Sequence, residues 1–288
     1  MKSPLKIYER PRLRNPYLIV GWDDAGHVGT GVTDYLINKL GAEEFGEIEP
    51  QKFSLMPNVL VKGGVLEELE YPGTSFYYWK NKNSTNDLII FGSQSPQQDQ
   101  HEFANLILDV AELFAVKRIY AVGSIPANIA HDEDPNLFAV VNSARAKKYL
   151  KPYDVALGLD YYGPTSMNGL ILGLAKQRNI DGLSLWGWVP CYIAEIPNPR
   201  VCEAILRVLT RMLGVEVDFT EIESEVNYAS KQIAEIVSYI REQNPDFDRH
   251  IAKPENRTGF GSSEEDRKRF FKEINDFLRN QHGGRGNN

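Results

Sequence analysis

The sequence predicts an α/β fold, a mostly parallel sheet covered by helices on both faces. Three observations carry this. Residues 17–20, 88–92 and 183–189 are short apolar runs without polar alternation, as expected of strands buried on both faces. Amphipathic helical stretches alternate with such runs through the first two hundred residues. The step from strand 88–92 through helix 103–114 to strand 117–123 has the spacing of a right-handed βαβ unit.

In chain order, residues up to Pro16 read as an extended, proline-studded arm. Strand 17–20 runs into the glycine-rich turn Gly21-Trp22-Asp23-Asp24-Ala25-Gly26-His27. A helix follows to about Leu40, with Val28, Val32, Tyr35, Leu36 and Leu40 on its buried face and Gly41 as its stop. Gly29 and Gly31 are poor helix formers, and fit a first turn pressed against the sheet or another backbone. Residues 45–62 read as one or two strands broken at Pro57. Residues 65–70 and 76–79 read as a hairpin around Tyr71-Pro72-Gly73-Thr74. After strand 117–123 come an irregular stretch, 125–135, a strand at 137–141 and a short helix at 144–150. Residues 155–159 lead to Tyr161 and Tyr162, and Thr165 or Ser166 caps a helix running to Arg178. Strand 183–189 precedes a helix over 198–213, with Pro199 in its first turn and Gly214 at its end. The character then changes. Residues 219–243 form one long amphipathic helix, 245–262 are polar and irregular, and 263–281 form a last helix before a disordered tail from about 283. The division is an α/β body over 1–216 and a helical extension over 217–288 packed on it.

The chain has 288 residues, 42% hydrophobic and 25% charged, with a formal charge of −7. Distributed acidity argues against nucleic acid and anionic membrane as partners. No apolar run reaches the roughly 18 residues of a membrane span. The N-terminal stretch reads as neither signal peptide nor anchor. Cys191 and Cys202 lack metal-ligand spacing, so no metal is expected and a reducing cytoplasm is the expected compartment. The glycines at Gly26, Gly29 and Gly31 do not make a dinucleotide fingerprint, and no phosphate loop or serine elbow is present, so no cofactor is expected.

Two groups of residues are candidates for function. Asp23, Asp24 and His27 in the first turn, with Gln94 and Glu102 after strand 88–92, lie at strand C-termini, where open α/β sheets bind ligands. They would suit acid/base chemistry in a small-molecule hydrolase or transferase. Against this, an acid at a helix start also caps the helix and meets its dipole for about 1 kcal/mol. Trp186, Trp188, Tyr192, Tyr161 and Tyr162 gather near two strand ends, either as core or as an oligomer or peptide interface. His131 with Asp132, Glu133 and Asp134 reads as a solvated acidic loop.

The turn Gly21-Trp22-Asp23-Asp24-Ala25-Gly26, the strand 88–92 with its polar continuation 94–102, and the run 184–192 followed by Pro197-Asn198-Pro199 stand in fixed order. Together they resemble the proteasome-assembly-chaperone family, in its bacterial and archaeal single-chain branch. Such members typically read Val-Pro-His-Tyr where this chain has Val189-Pro190-Cys191-Tyr192. The resemblance spans roughly 15–281. It implies a three-layer α/β/α body like the phosphorylase/hydrolase fold with added C-terminal helices. It also implies a homo-oligomer, a trimer by preference, and a non-enzymatic assembly role with protein clients such as proteasome subunits.

Overall fold

The structure is a computed structural model that describes residues 3–158 and 160–243. In chain order the strands are β1 (Leu5–Ile7), β2 (Tyr17–Trp22), β3 (Glu43–Ile48), β4 (Asn58–Lys62), β5 (Val65–Glu70), β6 (Ser75–Trp79), β7 (Leu88–Ser93), β8 (Arg118–Ala127), β9 (Leu137–Val141), β10 (Ala156–Leu157) and β11 (Asp181–Pro190). The helices are α1 (Val28–Leu40), α2 (Gln100–Leu113), α3 (Met167–Gln177), α4 (Pro199–Leu213) and α5 (Thr220–Gln243).

Nine strands form one sheet in the order β1-β3-β6-β7-β2-β8-β11-β9-β10. The centre, β7-β2-β8-β11, is parallel. Antiparallel pairings add β6, β3 and β1 on one side, and β9 on the other with β10 parallel to it. Along β2 successive side chains point to opposite faces. Leu18 and Val20 join Phe91, Ile119 and Ala121 under α2 and α3. Ile19 joins Ile90, Tyr120 and Val122 under α1 and α4. Both faces are apolar, which is why the central strands show no alternation.

Helix ends follow local chemistry. Gly41 and Gly214 close α1 and α4 in the left-handed conformation. The Ser166 hydroxyl accepts from the Gly169 N–H, and the Asn198 side chain from the Val201 N–H. α5 runs outside α4. Its Ile233, Ile236, Val237 and Ile240, spaced on one helical stripe, pack on Tyr192 and Ile193. The irregular stretch and last helix expected after 243 lie outside the described residues.

Three expectations are corrected. The hairpin is β4–β5, not 65–70 with 76–79. Gly63 and Gly64, both at positive φ, provide the tight turn, whereas β6 buries Phe76 and Tyr78 between β3 and β7. β2 runs on to Trp22, paired with Ser93. β8 continues through Ile125 to Ala127, because β11 pairs with it over ten residues, so the irregular stretch begins later.

Candidate functional site

The turn between β2 and α1 lies at the C-terminal ends of the parallel strands. It passes through a 3₁₀ turn, Ala25–His27, with Gly26 and His27 at φ of 67° and 51°. His27 occupies the N-cap position of α1 but its side chain makes no cap bond. Asp24 does that work from further back. One carboxylate oxygen accepts from the Gly29 N–H at 3.0 Å, in the first turn of α1. The other accepts from the Ser124 N–H at 2.6 Å, on β8. The Ser124 hydroxyl donates to the Ala25 carbonyl. A single carboxylate thus ties turn, helix and neighbouring strand. Burial pushes its carboxyl up to about 6, while the Gly29 and Ser124 donors pull the other way.

Space at this corner is set by glycines. A side chain at Gly29 would put its Cβ 2.7 Å from Trp22 N and closer still to Trp22 O. One at Gly21 would lie 2.7 Å from the Gly29 carbonyl carbon. Strand and helix therefore touch backbone to backbone. At Gly123 an added Cβ would meet the Asp24 carboxylate at 2.7 Å and the Asn168 amide at 2.8 Å.

Asp23 turns away from Asp24. Its carboxylate meets His27 Nδ1 at 2.5 Å, and that hydrogen bond raises the imidazole pKa above 6.5. His27 lies on a groove of about 770 Å³ between α1, the 196–199 segment and α5. Thr30, Tyr35, Cys202, Ile222 and Ile236 share that lining, and Asp23, Asp24, Gln94 and Glu102 do not. Gln94 lines a separate cavity with Phe53, Thr74, Ser93 and Phe103, of about 20 Å³, room for one water. Glu102 forms an ion pair with Lys52. The five candidate residues thus divide among a staple, a His–Asp pair, a small cavity and a surface ion pair.

The aromatic group divides as well. Tyr192 is buried at 3% exposure, and its hydroxyl accepts from the His131 N–H at 2.8 Å, so it belongs to the packing under α5. Trp186 stacks on Phe138 with ring planes 12° apart and donates its indole N–H to Ser184 Oγ at 2.7 Å. Trp188 meets Phe138 edge-on. These three half-buried rings lie at the β9–β11 pairing. Val140 is exposed on their face of the sheet, Leu157, paired with Ala139, is exposed on the other, and Tyr161 and Tyr162 are exposed beyond β10, Tyr162 fully so.

Sequence reasoning missed Ser124 and Asn168, which sit far along the chain from the turn they support. The Asn168 Nδ2 donates to the Val122 carbonyl at 3.1 Å. Trp22 Nε1, Ser93 Oγ and Asn168 Oδ1 are buried without a hydrogen-bond partner among the described residues. It also missed the β4–β5 hairpin as a surface, although its apolar content and paired glycines were visible. Among the described residues no cluster of metal-ligating side chains is present, and no helix is long and apolar enough to cross a membrane.

Comparison with known proteins places this geometry. The PAC2 family profile matches residues 18–237. "Uncharacterized protein MJ1210" of Methanocaldococcus jannaschii is 24% identical over 239 residues, covering 82% of this chain and 89% of that protein. The crystal structure of Pyrococcus furiosus PbaB, an archaeal proteasome activator, matches with a TM-score of 0.67 at 26% identity, over 81% of this chain and 97% of that one. P. furiosus PbaA, an archaeal homolog of proteasome-assembly chaperone, matches with a TM-score of 0.61 at 21% identity, over 83% and 99%. At that identity the likeness to PbaA is one of fold.

Proposed function

The chain belongs to the PAC2 family, and from that membership we propose that it is a non-enzymatic, homo-oligomeric factor that binds other protein chains, proteasome subunits among them. The observation that carries this reading is the β9–β10 edge. There Val140 is exposed on the same face as the half-buried Phe138, Trp186 and Trp188, Leu157 is exposed on the other face, and Tyr161 and Tyr162 are exposed beyond β10. Exposed apolar and aromatic side chains at a sheet edge suit a protein interface, and aromatic anchors are the residues that carry interface energy. The name of PbaB, a proteasome activator, supports the proteasome as client. The Asp24 staple supports a structural corner, since both carboxylate oxygens are engaged by backbone donors.

Light scattering of the full chain at micromolar concentration is expected to give a mass above one subunit. Purified proteasome subunits are expected to be retained by the immobilised protein. A monomer that retains none of them refutes the reading. One observation favours the alternative of a small-molecule hydrolase or transferase: the Asp23–His27 pair at the groove. A turnover detected with ester or phosphoester substrates, and abolished by His27→Ala without loss of fold, would establish that alternative.

A further inference from the structure

We propose that the β4–β5 hairpin of one copy of this chain seats on the β9–β10 edge of a second copy, a contact that rests on the oligomeric reading above. The hairpin is a separate two-stranded sheet whose strands, among the described residues, pair only with each other. An isolated hairpin is marginal in water and needs a surface to pack on. This one has every strand residue exposed. The pairs Val59 with Leu69 and Val61 with Leu66 put four apolar side chains on one face. Leu55 and Met56, on the approach, are 62% and 80% exposed. Leu60 and Val65 are exposed as well, on the other face of the hairpin.

The occupant follows from position and charge. The hairpin leaves the sheet between β3 and β6, whereas the aromatic edge lies at the far end of the strand order. Strands are about 4.8 Å apart, so β6 and β9, five steps apart in the sheet, are separated by about 24 Å. In this fold every hairpin strand residue is exposed, so the hairpin does not lie on its own chain's edge and is free to meet a neighbour's. Residues 58–70 carry Lys62 against Glu67, Glu68 and Glu70. Residues 143–158 and 160–162, which include β10 and the turns leading into it, carry Lys147, Lys148 and Lys151 against Asp154 and Asp160, with Arg145 paired to Asp181. The hairpin is net acidic and its seat net basic, as complementary interface surfaces are. Because the two surfaces differ, the contact is head-to-tail, and repetition closes a ring or extends a filament.

The test uses the full chain. A mixed oligomer of nitrogen-14 and nitrogen-15 chains is treated with a zero-length carboxyl-to-amine cross-linker and digested for mass spectrometry. Expected are peptides joining Glu67, Glu68 or Glu70 of one isotope to Lys147, Lys148 or Lys151 of the other. In light scattering, E67K/E68K and K147E/K148E each weaken association about tenfold or more, and the quadruple charge swap restores it. All four side chains are exposed, and circular dichroism checks that each variant is folded. A wild-type monomer overturns both this contact and the oligomeric reading. An intact oligomer in which both charge reversals are silent, or in which hairpins cross-link only to hairpins, overturns this contact and leaves the oligomeric reading standing. A client captured through the hairpin in place of a second copy overturns it too.

Discussion

Replacing Gly29 by alanine probes the contact on which the β2–α1 corner is built. The new Cβ would lie 2.7 Å from Trp22 N and 3.1 Å from Val122 O, and nearer still to Trp22 O. These neighbours are backbone atoms of central strands and cannot rotate aside, so α1 must retreat. Val28, Val32 and Leu36, all fully buried, retreat with it. Overpacking of this sort costs about 3 kcal/mol, the upper end of its usual range, because no side chain can give. Alanine in a helix returns about 1 kcal/mol, leaving a net loss of about 2 kcal/mol. For a domain of this size that is a drop of roughly 4 to 8 °C in melting temperature. Gly173→Ala provides the matched control. Gly173 is exposed in α3, with nothing within 4 Å of an added Cβ. It should gain the helix propensity alone, roughly 2 to 4 °C. Melting curves followed by circular dichroism under one scan rate compare the two. If Gly29→Ala melts at or above wild type, the backbone contact is not what fixes the corner, and the argument fails.

Further outcomes are expected. The Asp24 carboxyl rises from 3.8 to about 6 on folding, so the native state holds the extra proton between those values. Its contribution to stability therefore falls as pH rises from about 4 to about 6, by up to about 3 kcal/mol at about 1.4 kcal/mol per pH unit. Urea midpoints of wild type minus Asp24→Asn should decline across that window, and a difference that grows with pH would show that the two N–H donors outweigh burial. His27 titrates above 6.5 because of Asp23, so the pair stabilises the fold below 6.5 and the gain is lost as pH rises through the folded value. With His27 44% exposed the gain is at most a few tenths of a kcal/mol. The NMR midpoint of His27 should fall in Asp23→Asn, and an unmoved midpoint would dissociate the two. Asn198→Ala removes the cap of α4 and should cost about 1 kcal/mol in the same urea assay, with Asn198→Asp largely retaining it.

What was legible in the sequence was local or periodic. The run 88–92 identified a central strand because a parallel strand buries both faces and leaves no alternation to confuse. Gly41, Pro199 and Gly214 marked helix ends because each is chosen for its own φ or its missing N–H. Gly29 stood out as a poor helix former before the contact that requires it was visible. Pairing was less legible. Residues 65–70 have the composition of a strand, but whether they turn back at Gly63-Gly64 or at Tyr71-Pro72-Gly73-Thr74 depends on what β6 finds, and β6 finds β3 and β7. The candidate site suffered most. Asp23 and Asp24 are neighbours in sequence, yet in an extended backbone neighbours point apart. The partner that decides Asp24's role, Ser124, is a hundred residues away.

The role of Asp24 bears on where function can reside. In many α/β folds the N-terminus of the helix after the first strand receives an anionic ligand, because its free N–H groups and dipole favour negative charge. In this chain the first-turn N–H of Gly29 already holds an anion, the chain's own carboxylate, and that carboxylate is also bound to β8. A phosphate approaching this position would have to displace Asp24 and break both bonds while meeting its charge. The position that would serve a ligand is thus spent on joining α1 to the sheet. Apolar surface is exposed elsewhere, on a hairpin that among the described residues no other strand joins and at the β9–β10 edge with its aromatic and aliphatic side chains. Sheet edges left open in this way are liabilities in a monomer, and natural proteins cover them.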